Sequence, residues 1–154
     1  MQLSEILRPD AVKVVSSSTS KKRLFQELGD IAEAAYGLDA RLVVESLIER
    51  ESLGPTGVGH GVALPHARLE GMEGLAGIFV LLEKPFDFSS PDREPVDLVF
   101  ALFAPVDAGV EHLKALALIS RTLKDPNSRT KLRANPNPTA LYAILTEGVS
   151  TKAA

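Results

Sequence analysis

A chain of 154 residues, 45% hydrophobic and 24% charged, has the composition of one soluble globular domain and leaves no room for a second of ordinary size. Its 17 Lys and Arg are scattered along the sequence against 20 Asp and Glu, for a formal charge of −3, which argues against the clustered basic face that nucleic acid demands. The lack of cysteine excludes disulfides, thiolate nucleophiles and Cys-ligated zinc. MQLSEILRPD carries no basic segment followed by an apolar one, and no apolar run approaches the roughly 20 residues of a membrane helix. A cytoplasmic protein with no membrane insertion is expected.

In chain order, Leu3 to Leu7 suit one helical turn before Pro9, and Ala11 to Val15 read as a short strand. Ser16 to Ser20 offer N-caps for an amphipathic helix in which Leu24, Phe25, Leu28, Ile31, Ala32 and Ala35 recur at helical spacing, closed by Gly37. Asp39 caps a second helix, with Leu42, Val43, Leu47 and Ile48 near one face, that Gly54-Pro55 ends. Val62 to Leu64 start a strand limited by Pro65. The apolar runs Leu75 to Leu82 and Val96 to Ala104 suit strands covered on both faces, and EKPFDFSSPDREP between them reads as a surface loop. Asp107 is placed to cap a helix with Leu113, Leu116, Ser120 and Leu123 along its stripe. Asp125-Pro126 and Asn137-Pro138 each pair a cap with proline at the first helical position. One strand, two helices, three strands and three helices make an α/β domain, a three-layer sandwich around a small sheet. It spans residues 1–154 with a core of about 3–147, and the tail past Glu147 is expected to fray.

The chemistry concentrates in RESLGPTGVGHGVALPHAR, Arg50 to Arg68. Gly54, Gly57, Gly59 and Gly61 expose backbone N–H groups and permit positive φ, so the segment is able to wrap an anion, and His66 ends it with a neutral, nucleophilic imidazole. The plainer readings are hairpin turns for the glycines and a hydrogen-bonded boundary residue for the histidine. His112 sits in the first turn of its helix, where the dipole depresses its pKa and favours an anion; a boundary histidine is the alternative. The guanidinium of Arg50 matches phosphate oxygens, although a solvated helix-end charge is commoner, and Thr56 adds a hydroxyl that turn chemistry explains as well. The sequence contains no GxxxxGK[ST], GxGxxG, HExxH or GxSxG, which disfavours nucleotide hydrolysis, dinucleotide binding, zinc chemistry and serine hydrolysis.

Arg50 to His66, REsxGxTGxGxGxAxPH, resembles the signature of the IIA components of the bacterial phosphoenolpyruvate-dependent phosphotransferase system in the fructose/mannitol class. PVDLVFALFAPVD with EHL, from Pro95 to Leu113, is similar to that family's second block. The nitrogen-regulatory branch is nearest. The resemblance implies a mixed sheet sandwiched by helices, a phosphohistidine at His66 and phosphoryl-stabilising roles for His112 and Arg50. It gives His60, where relatives often have asparagine, no role. With it come a phosphate-contacting loop of Thr56, Gly57 and Gly59, a partner-binding rim of Leu53, Val58 and Leu64, no metal and no cofactor. The implied partners are an HPr-like phosphocarrier as donor and regulatory target proteins. The absence of a IIB or IIC segment in this sequence leans toward the regulator. A sugar-transport IIA component that donates to a IIB domain, and a partner-binding module that is never phosphorylated, stand as the other readings.

Overall fold

The computed structural model describes the backbone of residues 1–153 and the side chains of residues 1–147. A 3-10 turn over Leu3–Glu5 leads into β1 (Leu7–Val15), then α1 (Lys21–Tyr36) and α2 (Ala40–Ser52). Five strands follow: β2 (Gly57–Gly59), β3 (Val62–Ala63), β4 (His66–Leu69), β5 (Ala76–Phe86) and β6 (Val96–Pro105). Helices α3 (Val110–Lys124), α4 (Pro126–Ala134) and α5 (Pro138–Ala153) complete the chain. Past Glu147, the expected fraying concerns residues outside those whose side chains are described.

The helix boundaries follow from caps. Ser20 accepts from the Arg23 amide, Asp39 from those of Arg41 and Leu42, and Asp125 from that of Ser128, while Gly37 closes α1 at φ 70°. Asn137 likewise accepts from the amides of Thr139 and Ala140. Each cap satisfies a backbone group that the helix leaves without a partner.

The sheet runs β1-β5-β6-β3-β2, with β4 also on β6. β1 and β5 are parallel, β5 and β6 antiparallel, and both β3 and β4 run parallel to β6. β3 pairs Val62 with Leu98 and β4 pairs His66 with Leu102, so the two are one strand along β6, interrupted at Leu64-Pro65. Proline has no N–H for the ladder, and its carbonyl instead accepts from Leu102 at 3.0 Å. Ala76 to Leu82, and Val96 with Leu98 to Ala104, are all buried, because helices cover both faces. α1 packs on α2 and against β1 and β5; α3, α4 and α5 pack on one another and meet the sheet at β6 and β1.

Several expectations are corrected. The helical turn stops at Glu5, and β1 passes through Pro9 because that strand lies at the sheet edge with a register shift between Leu7 and Val12. β2 and β4 bring the strands between α2 and α3 to five; their three and four residues are too few for periodicity to register. Part of EKPFDFSSPDREP extends β5, and Phe88 is fully buried, edge-on to Phe25 and Phe86 with the Lys21 ammonium 4.6 Å from its ring centre. Asp107 does not cap α3: Gly109, at φ 57°, occupies that position without a side-chain cap. On α2, Val43 and Leu47 are buried, while Leu42 and Ile48 are each 41% exposed. The buried face of α3 holds His112, Ala115, Leu118, Ile119, Thr122 and Leu123, whereas Leu113 is 64% exposed. One residue of offset is about 100° of helix rotation, which turns His112 inward and Leu113 outward.

Candidate active site

The interruption at Leu64-Pro65 sets the geometry of His66. Its Nδ1 lies 2.8 Å from the carbonyl oxygen of Leu64. A carbonyl only accepts, so Nδ1 holds the ring proton and Nε2 holds the lone pair. Arg50, in the last turn of α2, confirms the assignment from the other side: its Nε donates to Nε2 at 3.3 Å, and its Nη1 donates to the Gly54 carbonyl at 2.9 Å. Half-buried and neutral, His66 thus presents an unprotonated nitrogen beside a fixed guanidinium.

His112 comes to it through the sheet. β4 lies beside β6, and the chain leaving β6 turns at Val106 to Gly109 into α3, which returns His112 to the end of β4. The two imidazoles meet edge to face, 5.6 Å between centres at 81°. His112 is only 5% exposed; its Nδ1 accepts from Arg68 Nε at 3.1 Å, and its Nε2 is buried without a hydrogen-bond partner among the described residues.

Both pKa values fall. Burial lowers that of His66, the Leu64 carbonyl opposes it, and the Arg50 charge lowers it further. Burial, then His66 and Arg68, bring His112 to about 4. Burial rather than the helix N-terminus therefore leads, and both rings are neutral at pH 7. The unfolded chain begins to protonate these rings near pH 6.5, whereas folded His112 waits until about 4. Stability is therefore full above pH 6.5 and is lost as the pH falls through that window, on the order of 2–3 kcal/mol for His112. Urea midpoints between pH 7 and pH 4 are expected to show this slope in wild type and a shallower one in His112→Asn.

Arg50, His66, Arg68 and His112 line one cleft of ≈ 420 Å³, with Leu53, Leu113 and Leu116 as its apolar walls. Two guanidiniums against one carboxylate, Glu49, leave the cleft a net positive charge beside two neutral rings, a setting whose chemistry favours an anion next to the unprotonated nitrogen of His66. An adjoining hollow between His66 and Ser120 is walled by Pro55, Thr56, Val58 and Leu64. Leu53 and Val58 are exposed, at 81% and 42%, but Leu64 is buried core rather than rim. Thr56 lies on the hollow with its polar groups engaged: its amide and hydroxyl donate to Glu51, at 3.2 and 2.5 Å. Gly57 and Gly59 line neither cavity. A Cβ on Gly57 would collide with Ser90 Oγ, and Gly59, at φ 96°, faces Asp92, so both serve the β2–β3 hairpin. His60 takes the hairpin's left-handed position, φ 57°, a conformation that Asn and His tolerate better than most residues. Among the described residues no group of three His, Cys, Asp or Glu is placed to hold a metal ion, and no helix is long and apolar enough to cross a membrane.

Sequence reasoning passed over Arg68. Residues two apart on a strand share a face, so a strand at 66–69 places Arg68 beside His66 with Ala67 buried behind. That signal was in PHAR, hidden by the expectation that Pro65 ended the strand. Apolar side chains are also exposed where β6 runs into α3, Val106 at 51%, Val110 at 61% and Leu113 at 64%, and Leu113 lines the cleft.

Residues 5–148 match the family described as "Phosphoenolpyruvate-dependent sugar phosphotransferase system, EIIA 2". The chain is 45% identical over 145 residues to a nitrogen regulatory protein of Bradyrhizobium diazoefficiens, covering 94% of this chain and 95% of that one. Over 152 residues it is 37% identical to the nitrogen regulatory protein of Escherichia coli K12, covering 98% and 93%. Among solved structures, the nitrogen regulatory protein IIA-Ntr of Neisseria meningitidis superposes with a TM-score of 0.86 at 37% identity, over 94% of this chain and 99% of that one.

Proposed function

Since this chain belongs to the EIIA 2 family of the phosphoenolpyruvate-dependent sugar phosphotransferase system, we propose that it carries a phosphoryl group on Nε2 of His66. The donor in this reading is a phosphohistidine on an HPr-like carrier, and the phosphorylation state governs which regulatory target proteins the chain engages. The observation that carries the proposal is the lone pair at Nε2, set by the Leu64 carbonyl behind the ring and met by Arg50 in front. In transfer, that lone pair forms the new N–P bond while the donor's N–P bond breaks and returns its electron pair to the donor nitrogen. The positive charge left on the His66 ring is stabilised by Nδ1–H donating to Leu64. Such a reaction leaves little covalent work to the protein; positioning and charge stabilisation dominate, and Arg50 and His112 supply both to the phosphoryl oxygens.

The regulatory half of the proposal rests on the nitrogen regulatory relatives at 37% to 45% identity. A phosphoryl group adds about 1.5 to 2 negative charges at neutral pH to a cleft whose lining includes the exposed Leu53 and Leu113. The charged groups that line the cleft, Arg50 and Arg68 against Glu49, sum to +1, so the phosphoryl group takes the cleft to about −0.5 to −1, which changes the partners the face accepts.

The test is intact mass after incubation with phosphoenolpyruvate, the general phosphotransferase enzyme and an HPr-like carrier. One acid-labile phosphoryl group is expected; none, with a control IIA protein labelled in the same mixture, leaves a partner-binding module. A docking rim around Leu113 gives a second expectation: Leu113→Glu slows transfer about tenfold or more, a burden of roughly 1.4 kcal/mol, by placing a charge in the apolar contact. The residue is 64% exposed, so the urea midpoint should stay at its wild-type value.

A further inference from the structure

Arg68 is anchored at two points. Its Nε donates to His112 Nδ1 at 3.1 Å and its Nη1 donates to the Val106 carbonyl at 3.3 Å, on the segment that leads into α3. A guanidinium has donors only, so His112 Nδ1 must offer a lone pair, and the ring proton sits on Nε2. That N–H is buried and has no acceptor among the described residues. A buried donor without a partner is costly, and folded proteins rarely keep one unless something else completes it. His112 lines the same cleft as His66, and the two rings hold opposite tautomers: His66 carries its lone pair on Nε2, where Arg50 donates to it, and His112 carries its proton on Nε2.

We propose that Arg68 is a positioning residue that fixes His112 as an Nε2–H donor for an oxygen of the phosphoryl group arriving on His66. The inference rests on the reading of His66 as the acceptor and adds to it a residue that acts through its neighbour. Arg68 does two things at once in this arrangement. Its hydrogen bond selects the tautomer, and its positive charge, 3.1 Å from Nδ1, opposes a second proton there when the phosphoryl dianion enters the cleft. The cleft then keeps a neutral, oriented donor through the transfer in place of a cation that would hold the product too tightly.

The test compares wild type with Arg68→Met, which keeps much of the apolar stem and removes every donor, and with Arg68→Lys, which restores a donor and a charge. Long-range ¹H–¹⁵N spectra read the His112 tautomer, and single-turnover labelling reads the transfer rate at saturating carrier. In wild type, His112 is expected as the pure Nε2–H form. In Arg68→Met the two tautomers mix, and the saturated transfer rate falls about tenfold to a hundredfold, the range seen when a partner that orients a functional side chain is lost. The carrier concentration at half-saturation stays put, and Arg68→Lys recovers part of both signals. Should Arg68→Met keep the wild-type tautomer and rate while wild type is labelled normally, Arg68 is a surface charge and the inference fails alone. A wild-type protein that takes no label fails the carrier reading itself, and this inference with it.

Discussion

His66→Gln takes up no acid-labile phosphoryl group, with labelling at least about a thousandfold below wild type under conditions that saturate the wild-type protein. Glutamine keeps a polar side chain of similar reach, so the hairpin, the Leu64 carbonyl and Arg50 keep their places, but an amide nitrogen has no lone pair free to attack phosphorus. The sharper part of the expectation concerns the neighbour. With a second imidazole centred 5.6 Å away, phosphate could in principle move to His112 when His66 is lost. Burial opposes it: His112 is only 5% exposed where His66 is half-buried, its unprotonated nitrogen, Nδ1, faces an Arg68 that is itself tied to the Val106 carbonyl, and Nε2 carries the proton. His112 is therefore no substitute nucleophile. The check is intact mass for His66→Gln, His112→Asn and the double variant. His112→Asn should remain labelled on one site, more slowly, since loss of a single preorganised donor to a transferring group costs about 10²–10³ in rate. A label that survives in His66→Gln and disappears in the double variant would reverse the two roles.

The sequence carried the local signals well and the long-range ones poorly. The caps at Ser20, Asp39, Asp125 and Asn137 and the stop at Gly37 are short-range chemistry, visible as residue types, and the helices begin or end there. The apolar runs at 75–82 and 96–104 announced β5 and β6, which are buried on both faces. Spacing and composition proposed His66, Arg50 and His112 one at a time, and family resemblance grouped them; only the packing of α2 on β4 and the path from β6 into α3 put them in one cleft.

What stayed hidden depended on tertiary context. Pro9 reads as a breaker, yet an edge strand with a bulge has no ladder bond to lose there. Pro65 reads as a strand end, yet it interrupts a strand that resumes at His66, and that pause is what aims the Leu64 carbonyl at the ring. The face of α3 was misjudged by one residue because a buried histidine is indistinguishable from a boundary one without its partner. Thr56 looked available to an anion until its donors were found on Glu51, and Leu64 looked like rim until the core closed over it.

That carboxylate gives the second large effect. Glu51 follows Arg50 at the end of α2, its side chain only 9% exposed, and accepts from Lys21 Nζ at 2.8 Å as well as from both donors of Thr56. From Thr56 the chain of contacts continues inward: its carbonyl accepts from the Leu64 amide at 2.9 Å, and the Leu64 carbonyl accepts from His66 Nδ1. Glu51→Ala removes the one group that satisfies three donors. It leaves the Thr56 amide and hydroxyl without that acceptor and the Lys21 ammonium over the face of Phe88 without its counter-charge. Removing one partner from a mostly buried pair costs more than the pair contributes, so a loss of about 3 kcal/mol is expected in urea unfolding. Lys21→Met should cost less, because a thioether is at home against Phe88 and Glu51 retains Thr56. The functional consequence separates anchoring from simple destabilisation. At a urea-free temperature where Glu51→Ala is still folded, its His66 should show a mixed tautomer in ¹⁵N spectra, since the Leu64 carbonyl is no longer held. Lys21→Met should keep the pure Nδ1–H form. Equal tautomer purity in both variants would mean that the Leu64-Pro65 break alone orients His66, and that Glu51 contributes stability without contributing to the site.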